Sequence, residues 1–199
     1  AISDQDLVVH SAIIRPDNPE IIAAKDKGIE VIARREALPK ILNESKVYSV
    51  AGAHGKSTTT AILASIMDGS AIIGAESKAF GSNVRYNEES DIMLFEADES
   101  DGSFINSNPY CSIVINAEPE HMEYYDYNYE RFYDSYKTFI NSAKLKVLNA
   151  EDPFLSELIG DVDAEWLYPS RDIKNIEFVL INDEPHTRFV LKDFGSFDV

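Results

Sequence analysis

A short glycine-rich segment has the residue types of a phosphate-binding loop. It consists of Gly52, Ala53, His54, Gly55, Lys56 and Ser57, followed by Thr58. Glycines let backbone N–H groups turn toward a phosphate, and the N-terminus of a following helix adds partial positive charge. Lys56 is long enough to reach the β- and γ-phosphates of a nucleotide, and the Ser57 hydroxyl can ligate Mg²⁺. The pattern therefore predicts a nucleotide site with Mg²⁺.

The loop is shorter than the common form. Four residues usually separate its glycines, whereas here only Ala53 and His54 do so. Val50 lies where the common form has its first glycine. A helix with a glycine entry and no ligand would show the same Gly-Lys-Ser, so the flanking elements decide between the two. Residues 46–51 predict a strand, and an apolar-periodic helix begins near Thr58, as a phosphate site requires.

Polar side chains follow two further buried-type strands, predicted at residues 91–95 and 112–115. Glu96 opens an acidic run after the first, and Asn116 and His121 follow the second. In open α/β sheets, ligands bind beyond the carboxyl ends of the strands. A carboxylate and an imidazole near a bound triphosphate suit metal binding. Charged residues directly after a strand can also be ordinary loop residues, and that alternative stays open for each residue alone.

The remaining pattern predicts an α/β fold: a mostly parallel, P-loop-type sheet flanked by helices. Residues 1–45 alternate strand and helix, like the end of a Rossmann-like unit whose start is missing. Residues 46–199 form the second unit. Three segments of the tail predict β structure: 164–168, 176–181 and 187–191. We expect them to form a small antiparallel appendage at the sheet edge, with a turn at 182–185.

One predicted helix, at residues 129–143, has an aromatic face. Its apolar positions have the spacing i, i+3, i+4, i+7 and i+11: Tyr129, Phe132, Tyr133, Tyr136 and Ile140. We expect this stripe to pack in the core rather than to bind a cofactor.

Composition excludes several functions. The 44% hydrophobic and 11% aromatic content supports a packed core, and no apolar run is long enough to span a membrane. A net charge of −17 argues against nucleic acid as a partner, because a polyanion needs a basic surface. The N-terminus lacks a signal-peptide pattern. The single cysteine, Cys111, excludes an internal disulfide, suits a reducing cytoplasmic compartment and is expected to be buried rather than nucleophilic.

Together the motifs resemble the Mur ligase family of ATP-dependent amide-bond ligases. The resemblance is carried by Gly-Ala-His-Gly-Lys-Ser-Thr-Thr-Thr from Gly52, Glu-Ala-Asp-Glu-Ser-Asp from Glu96 and Asn-Ala-Glu-Pro-Glu-His-Met-Glu from Asn116. Residues 9–13, with 17–20, resemble the end of the family's UDP-binding N-terminal domain. The resemblance thus implies that 1–45 belong to that domain and 46–199 to the central ATP-binding domain.

The resemblance implies a role for each motif. ATP would lie against residues 52–58, and Asn116 would contact the nucleotide or orient the metal site. Ser57 and Glu96 would hold the Mg²⁺ that bridges the β- and γ-phosphates. His121 would serve a second metal between the γ-phosphate and the substrate carboxylate. The residues implied to be catalytic are Lys56, Glu96 and His121.

The resemblance also implies the reaction. The γ-phosphoryl group would move to the lactyl carboxylate of UDP-N-acetylmuramate, and the amine of L-alanine would attack the resulting acyl phosphate. Such a transfer depends on positioning and charge neutralisation, so no protein nucleophile is needed. Ser11, Ala12 and His54 are the positions implied to contact the UDP-sugar, although His54 could simply fill the loop.

The chain departs from the family pattern at Ser57, Glu120 and Glu123. Ser57 stands where threonine is usual; Glu120 before His121, and Glu123 after it, stand where aspartate is usual. Some relatives carry a carbamylated lysine after this histidine. Lys137 is the nearest candidate here, and we expect it to be an ordinary surface lysine.

The family's first glycine-rich loop and its C-terminal domain would lie outside the 199 residues. We therefore expect these residues alone not to be a competent ligase. The same UDP-sugar could instead receive a recycled murein tripeptide, although Ser100 favours alanine as the acceptor. A regulatory nucleotide-binding module is the alternative from another class; the short loop and the lack of a base-recognition motif count against it. A catalytically dead interaction domain is opposed by the intact Lys56, Ser57, Glu96 and His121.

Overall fold

The N-terminal part of the chain forms two strand–helix pairs. The computed structural model describes residues 2–11 and 13–198. The first elements are β1 (Leu7–His10), α1 (Pro19–Asp26), β2 (Glu30–Ala33) and α2 (Arg34–Leu42). Strands β1 and β2 pair in parallel. Side chains start both helices: Asn18 accepts a hydrogen bond from the Glu20 N–H at 2.9 Å, and Glu36 accepts one from the Ala33 N–H at 3.0 Å.

The central sheet has seven strands among the described residues. Its elements are β3 (Lys46–Ala51), α3 (Lys56–Ile66), β4 (Ser70–Ser77), β5 (Ser82–Arg85), β6 (Ile92–Glu96), a 3-10 helix (Ser103–Ser107), β7 (Cys111–Val114), α4 (Tyr129–Ser142), β8 (Leu145–Asn149), α5 (Pro153–Ile159) and β9 (Glu165–Leu167). The spatial order is β5-β4-β6-β3-β7-β8-β9. All neighbours are parallel except β5, which is antiparallel to β4. The predicted fold class is confirmed.

Strand β3, which leads into the glycine-rich loop, lies at the middle of this sheet. It pairs with β6 on one side, where Val50 faces Glu96, and with β7 on the other, where Ala51 faces Val114. The three carboxyl ends are therefore adjacent. The chain order places these two neighbours on opposite sides of β3, and ligands bind at such a switch point in α/β sheets.

The aromatic face of α4 packs into the core, as predicted, with one exception. The fully buried residues of this helix are Phe132, Tyr136, Phe139 and Ile140. Tyr133 is partly buried and packs against the same cluster. Tyr129 is 60% exposed, so the prediction that it belongs to the core stripe is wrong. Tyr129 is the first residue of the helix, where fewer neighbouring residues cover a side chain than in the middle.

Cys111 is buried on β7, as expected. Burial raises the pKa of its thiol to about 11. A thiol with so little thiolate at neutral pH is a poor nucleophile.

The tail forms a separate antiparallel sheet rather than an extension of the central one. It contains a short helix, α6 (Pro169–Asp172), and the strands β10 (Ile173–Ile181), β11 (Glu184–Leu191) and β12 (Gly195–Asp198), in the order β10-β11-β12. A two-residue turn with positive φ at Asn182 and Asp183 joins β10 to β11. The antiparallel appendage is thus confirmed, and β12 adds a strand that the sequence did not indicate.

The prediction that residues 164–168 belong to this appendage is wrong. Strand β9 instead pairs in parallel with β8, where Leu148 faces Trp166. Trp166 packs against the main core and donates a hydrogen bond from Nε1 to the Val162 carbonyl at 3.4 Å. Burial of this large side chain fixes β9 at the edge of the central sheet. None of the helices in the described part of the chain is long and apolar enough to cross a membrane.

Candidate nucleotide and metal site

The glycine-rich loop passes tightly between β3 and α3. Gly52 has φ +144° and Gly55 has φ +84°, both in the region that favours glycine. A Cβ atom on Gly52 would lie 3.0 Å from Asn116 Oδ1 and 3.1 Å from the Asn116 carbonyl oxygen. Glycine at this position therefore lets the loop lie directly against the end of β7.

Asn116 braces the loop through both polar atoms of its amide. Its Oδ1 accepts a hydrogen bond from the His54 N–H at 3.1 Å, and its Nδ2 donates to the His54 carbonyl at 3.0 Å. These two bonds fix the peptide groups on both sides of the His54 Cα. Its contact with a nucleotide stays a prediction.

Lys56 is folded back onto its own loop. Its Nζ donates to the Gly52 carbonyl at 2.7 Å and to the Ala53 carbonyl at 3.3 Å. The same nitrogen donates to Glu99 Oε1 at 3.2 Å and lies 3.0 Å from Glu99 Oε2. The Lys56 side chain is only 13% exposed. The positive charge at the centre of the loop is thus already compensated inside the chain.

Glu99 was not singled out from the sequence, although it lies in the acidic run that begins at Glu96. Its side chain is fully buried, and the Tyr125 hydroxyl donates to its backbone carbonyl at 2.6 Å. Burial raises the pKa of the Glu99 carboxyl, and the nearby Lys56 partly opposes that rise. Three positions separate Glu99 from the strand end, so only the tertiary packing shows that it turns inward.

Ser57 and Glu96 lie in direct side-chain contact, and their binding of Mg²⁺ stays a prediction. The Ser57 hydroxyl donates to Glu96 Oε1 at 2.9 Å, and Glu96 Oε2 accepts from the Gly74 N–H at 2.5 Å. The Glu96 carboxylate thus contacts residues of both α3 and β4 at the end of β6. The hydroxyl and the carboxylate are oxygen ligands of the kind that Mg²⁺ prefers, and the Gly74 contact fixes the carboxylate orientation.

A second cluster of possible metal ligands includes Glu99, the partner of Lys56. Glu99, Glu120 and His121 each offer one ligand atom, and these atoms all lie within 4.8 Å of one another. His121 has φ +50° and is exposed, in the loop that follows β7. His54, whose side chain is 66% exposed, places Nε2 at 3.3 Å from Glu120 Oε1 and 3.9 Å from Glu118 Oε2. The structure therefore brings His121 toward the loop together with two carboxylates.

The residues predicted to contact the UDP-sugar besides His54 are Ser11 and Ala12, which follow β1 in the sequence. The Ser11 carbonyl, after β1, accepts a hydrogen bond from the Ile14 N–H at 3.0 Å. Ala12 lies outside the described residues. A cavity of about 190 Å³ lies between the N-terminal unit and the segment after β6. It is lined by His10, Ala33, Arg34, Arg35, Asp101 and Tyr124.

Lys137 is a surface lysine, as expected. Its side chain is 43% exposed, and its Nζ lies 3.7 Å from Asp134 Oδ1 on the same helix.

The parallel sheet, the glycine-rich loop at its switch point and the Ser57–Glu96 pair are typical of an α/β protein with a phosphate-binding loop. Family comparison identifies the class more closely. The Mur ligase middle domain matches residues 50–174, and the Mur ligase family catalytic domain matches residues 1–46. The chain belongs to the Mur ligase family, which is a family of ATP-dependent ligases.

Similar proteins share one function in their names. A UDP-N-acetylmuramate–L-alanine ligase of Campylobacter curvus is 55% identical over 199 residues, which are 100% of this chain and 45% of that protein. The ligase of the same name from Helicobacter pylori strain P12 is 49% identical over 198 residues, which are 99% of this chain and 43% of that protein. The chain spans about half the length of the curated relatives it matches.

Solved structures share the fold. A UDP-N-acetylmuramate–alanine ligase from Thermotoga maritima matches with a TM-score of 0.79 and 24% identity, covering 100% of this chain and 47% of that one. A UDP-N-acetylmuramate:L-alanyl-γ-D-glutamyl-meso-diaminopimelate ligase from Neisseria meningitides matches with a TM-score of 0.72 and 19% identity, covering 96% and 66%. At these identities the likeness concerns the fold.

Proposed function

We propose that this chain is the phosphoryl-transfer part of an ATP-dependent ligase that joins L-alanine to UDP-N-acetylmuramate. Relatives at 49–55% identity carry that name. The observation that carries the proposal is the Ser57–Glu96 hydrogen bond at the start of α3, with Lys56 one residue away. This set suits transfer of a terminal phosphoryl group, because it places a cation and two oxygen ligands at one loop.

The nucleotide would bind with its phosphates against residues 52–58. The backbone N–H groups at the start of α3 and the helix dipole favour negative charge there. Lys56 would exchange the Gly52 and Ala53 carbonyls for phosphate oxygens, since its Nζ is a mobile donor on a flexible stem. Asn116 would keep the loop in shape through its bonds to His54 during that exchange.

Ser57 and Glu96 would hold Mg²⁺, and the donor set fits that ion. The hydroxyl and one carboxylate oxygen are 2.9 Å apart, close to the separation of neighbouring ligands around Mg²⁺, which is about 3.0 Å for bonds of about 2.1 Å. When bound, Mg²⁺ neutralises charge on the transferring phosphoryl group. His121 would face the γ-phosphate and the substrate carboxylate.

The chemistry needs no covalent intermediate on the protein. The lactyl carboxylate attacks the γ-phosphorus, ADP leaves and an acyl phosphate forms. The amine of L-alanine then attacks the acyl carbon, an amide bond forms and phosphate leaves. Lys56 stabilises the charge on the transferring group, and the buried thiol of Cys111 takes no part. The single buried cysteine also suits our assignment of the reaction to the cytoplasm.

The test uses a protein that carries this chain at the full length of its relatives. ADP formation is measured with UDP-N-acetylmuramate and L-alanine together and with each omitted. Dependence on both supports the proposal, and use of a murein tripeptide in place of L-alanine supports the tripeptide ligase instead. ATP hydrolysis that is unaffected by any acceptor would favour a regulatory module. Glu96→Gln should lower the rate at least about 100-fold, since it removes a charge from the metal site.

A further inference from the structure

Gly74 on β4 contacts the Glu96 carboxylate through its backbone. The Gly74 N–H donates to Glu96 Oε2 at 2.5 Å, while the Ser57 hydroxyl donates to Oε1 at 2.9 Å. The two oxygens of one carboxylate therefore have different partners. Oε1 contacts the side chain that is proposed as a second metal ligand, and Oε2 is held by the main chain of a neighbouring strand.

An irregularity in β4 makes this backbone donor available. The last residue of β4 that pairs with β6 is Ile72, which lies opposite Phe95. The pairing of β4 with β5 shifts its register between Ile72 and Ser77. Gly74 lies inside this interval, so its N–H can leave the regular ladder and turn toward a side chain. Irregularities of this kind re-aim groups beside functional sites in other sheets.

The carboxylate lies so close to Gly74 that there is no room for a side chain. A Cβ atom on Gly74 would lie 2.7 Å from Glu96 Oε1 and 2.9 Å from Oε2, well inside van der Waals contact. Gly74 does not belong to the glycines with positive φ. Glycine is therefore needed here for the approach of Glu96 and not for the backbone conformation. Because the crowded atoms end a flexible side chain, an alanine at this position displaces the carboxylate rather than the strand.

We propose that Gly74 is a positioning residue that makes the metal site at Glu96 selective for Mg²⁺ over Ca²⁺. While the Gly74 N–H occupies Oε2, the carboxylate binds a cation through Oε1 alone. Mg²⁺ accepts such a ligand and keeps several waters, whereas Ca²⁺ takes about six to eight oxygen ligands and often both oxygens of a carboxylate. The inference rests on the proposed function, in which Ser57 and Glu96 hold the cation of a bound nucleotide.

The spacing of the two ligand oxygens favours the same ion. Ser57 Oγ and Glu96 Oε1 are 2.9 Å apart. Adjacent ligands around Mg²⁺ lie about 3.0 Å apart, whereas those around Ca²⁺ lie about 3.4 Å apart for bonds of about 2.4 Å. The Gly74 contact prevents the carboxylate from turning to widen this spacing, so the preference depends on Gly74.

Calorimetry with the Mg²⁺ and Ca²⁺ complexes of β,γ-imido-ATP tests the proposal on the 199-residue chain. Gly74→Ala should weaken binding of the Mg²⁺ complex about 10- to 100-fold and bring it close to that of the Ca²⁺ complex, since the partner that orients a ligand is lost. Gly69→Ala is the matched control at the other end of β4. Its Cβ would lie 2.9 Å from both Ile92 Cγ2 and the Ile92 carbonyl oxygen, far from any ligand of the cation.

The two alanine variants should have opposite effects. Gly69→Ala should lower the Tm and keep the preference for Mg²⁺, because it crowds backbone. Gly74→Ala should lose the preference and keep a Tm closer to that of the unchanged chain. Equal preference for Mg²⁺ in Gly74→Ala and the unchanged chain would overturn the proposal, and so would its loss in Gly69→Ala. If the unchanged chain binds neither complex, the proposed function itself fails.

A second measurement begins without nucleotide. The Gly74 amide proton donates to a carboxylate, so it should resonate downfield in a heteronuclear NMR spectrum, and Glu96→Gln should move it upfield. Glu76→Gln, at an exposed carboxylate on the same strand, is the control and should move it much less. Adding the Mg²⁺ complex should leave the resonance downfield, because Oε2 keeps its donor. A resonance that ignores Glu96→Gln, or that moves upfield with the Mg²⁺ complex, would refute the inference independently of the binding data.

Discussion

Replacing Gly52 by alanine should damage both the stability of the chain and its nucleotide site. At φ +144° an alanine is strained by about 1 to 3 kcal/mol. Its Cβ would also press on Asn116, at 3.0 Å from Oδ1 and 3.1 Å from the carbonyl oxygen. If Asn116 moves away, its two hydrogen bonds to His54 are lost, at about 0.5 to 1.5 kcal/mol each. The expected loss is therefore about 2 to 6 kcal/mol.

Two other glycines separate backbone strain from crowding. Gly55 has φ +84°, and the nearest atom to an added Cβ is Ile115 Cδ1 at an ordinary 3.7 Å. Gly28 has φ +72°, and nothing lies within 4 Å of its Cβ position. Alanine at either position should cost only the strain, about 1 to 2 kcal/mol. The excess loss in Gly52→Ala measures the crowding against Asn116.

Urea unfolding of the three variants, monitored by circular dichroism, gives these differences, and a fluorescent ADP analogue reports nucleotide affinity. Gly28→Ala should bind the analogue normally, whereas Gly52→Ala should bind at least tenfold more weakly. In an Asn116→Ala background the extra cost of Gly52→Ala should shrink, because the two His54 bonds are already absent. Equal unfolding free energies for Gly52→Ala and Gly28→Ala would refute the reasoning.

Three further predictions concern the site and the core. Ser57→Ala should lower the Mg²⁺-dependent part of ADP affinity about tenfold, whereas Ser57→Thr should preserve it. Calorimetry with and without Mg²⁺ measures both. Equal ADP affinities of Ser57→Ala and the unchanged chain would exclude the hydroxyl as a ligand. Tyr125→Phe should destabilise the chain by about 1 kcal/mol, because the hydrogen bond to the Glu99 carbonyl is lost. Tyr136→Phe should be neutral or stabilising, since the buried Tyr136 hydroxyl contacts no hydrogen-bond partner among the described residues. Equal urea midpoints for the two variants would contradict this. Cys111, with a pKa of about 11 against an ordinary 9.0, should react with a disulfide reagent at pH 8 about 100-fold more slowly than an exposed thiol. Its rate should rise about tenfold per pH unit up to about pH 11, and a rate at pH 8 equal to that of the unfolded chain would show that the thiol is accessible.

The strand, glycine-rich loop and helix around Gly52 could be predicted because their information is local. The spacing of Gly52, Gly55 and Lys56 between a strand and a helix is visible in one short segment. Glu96 could be predicted because it ends a strand, and strand ends of a parallel sheet meet at one edge. The contact between Ser57 and Glu96 follows from these two local facts together.

Burial and partner choice could not be predicted in the same way. Glu99 turns inward because the Tyr125 hydroxyl holds its carbonyl and Lys56 compensates its charge, and both partners are distant in sequence. The sequence of β9 predicts the wrong sheet because three residues of alternating polarity look alike in a parallel and in an antiparallel sheet. The packing of Ala164 and Trp166 against the core accompanies the pairing of β9 with β8.

The bracing of the loop by Asn116 has a consequence for synthesis on the ribosome. His54 and Asn116 are 62 residues apart, so the loop emerges long before the side chain that holds it in shape. Strand β3 likewise cannot pair until β6 and β7 have been synthesised, and both follow α3, β4 and β5 in the sequence. A nascent chain that ends before Asn116 has the loop sequence without the two hydrogen bonds that brace it at His54. We therefore expect nucleotide to stabilise this protein only after the strand that leads to Asn116 has left the exit tunnel.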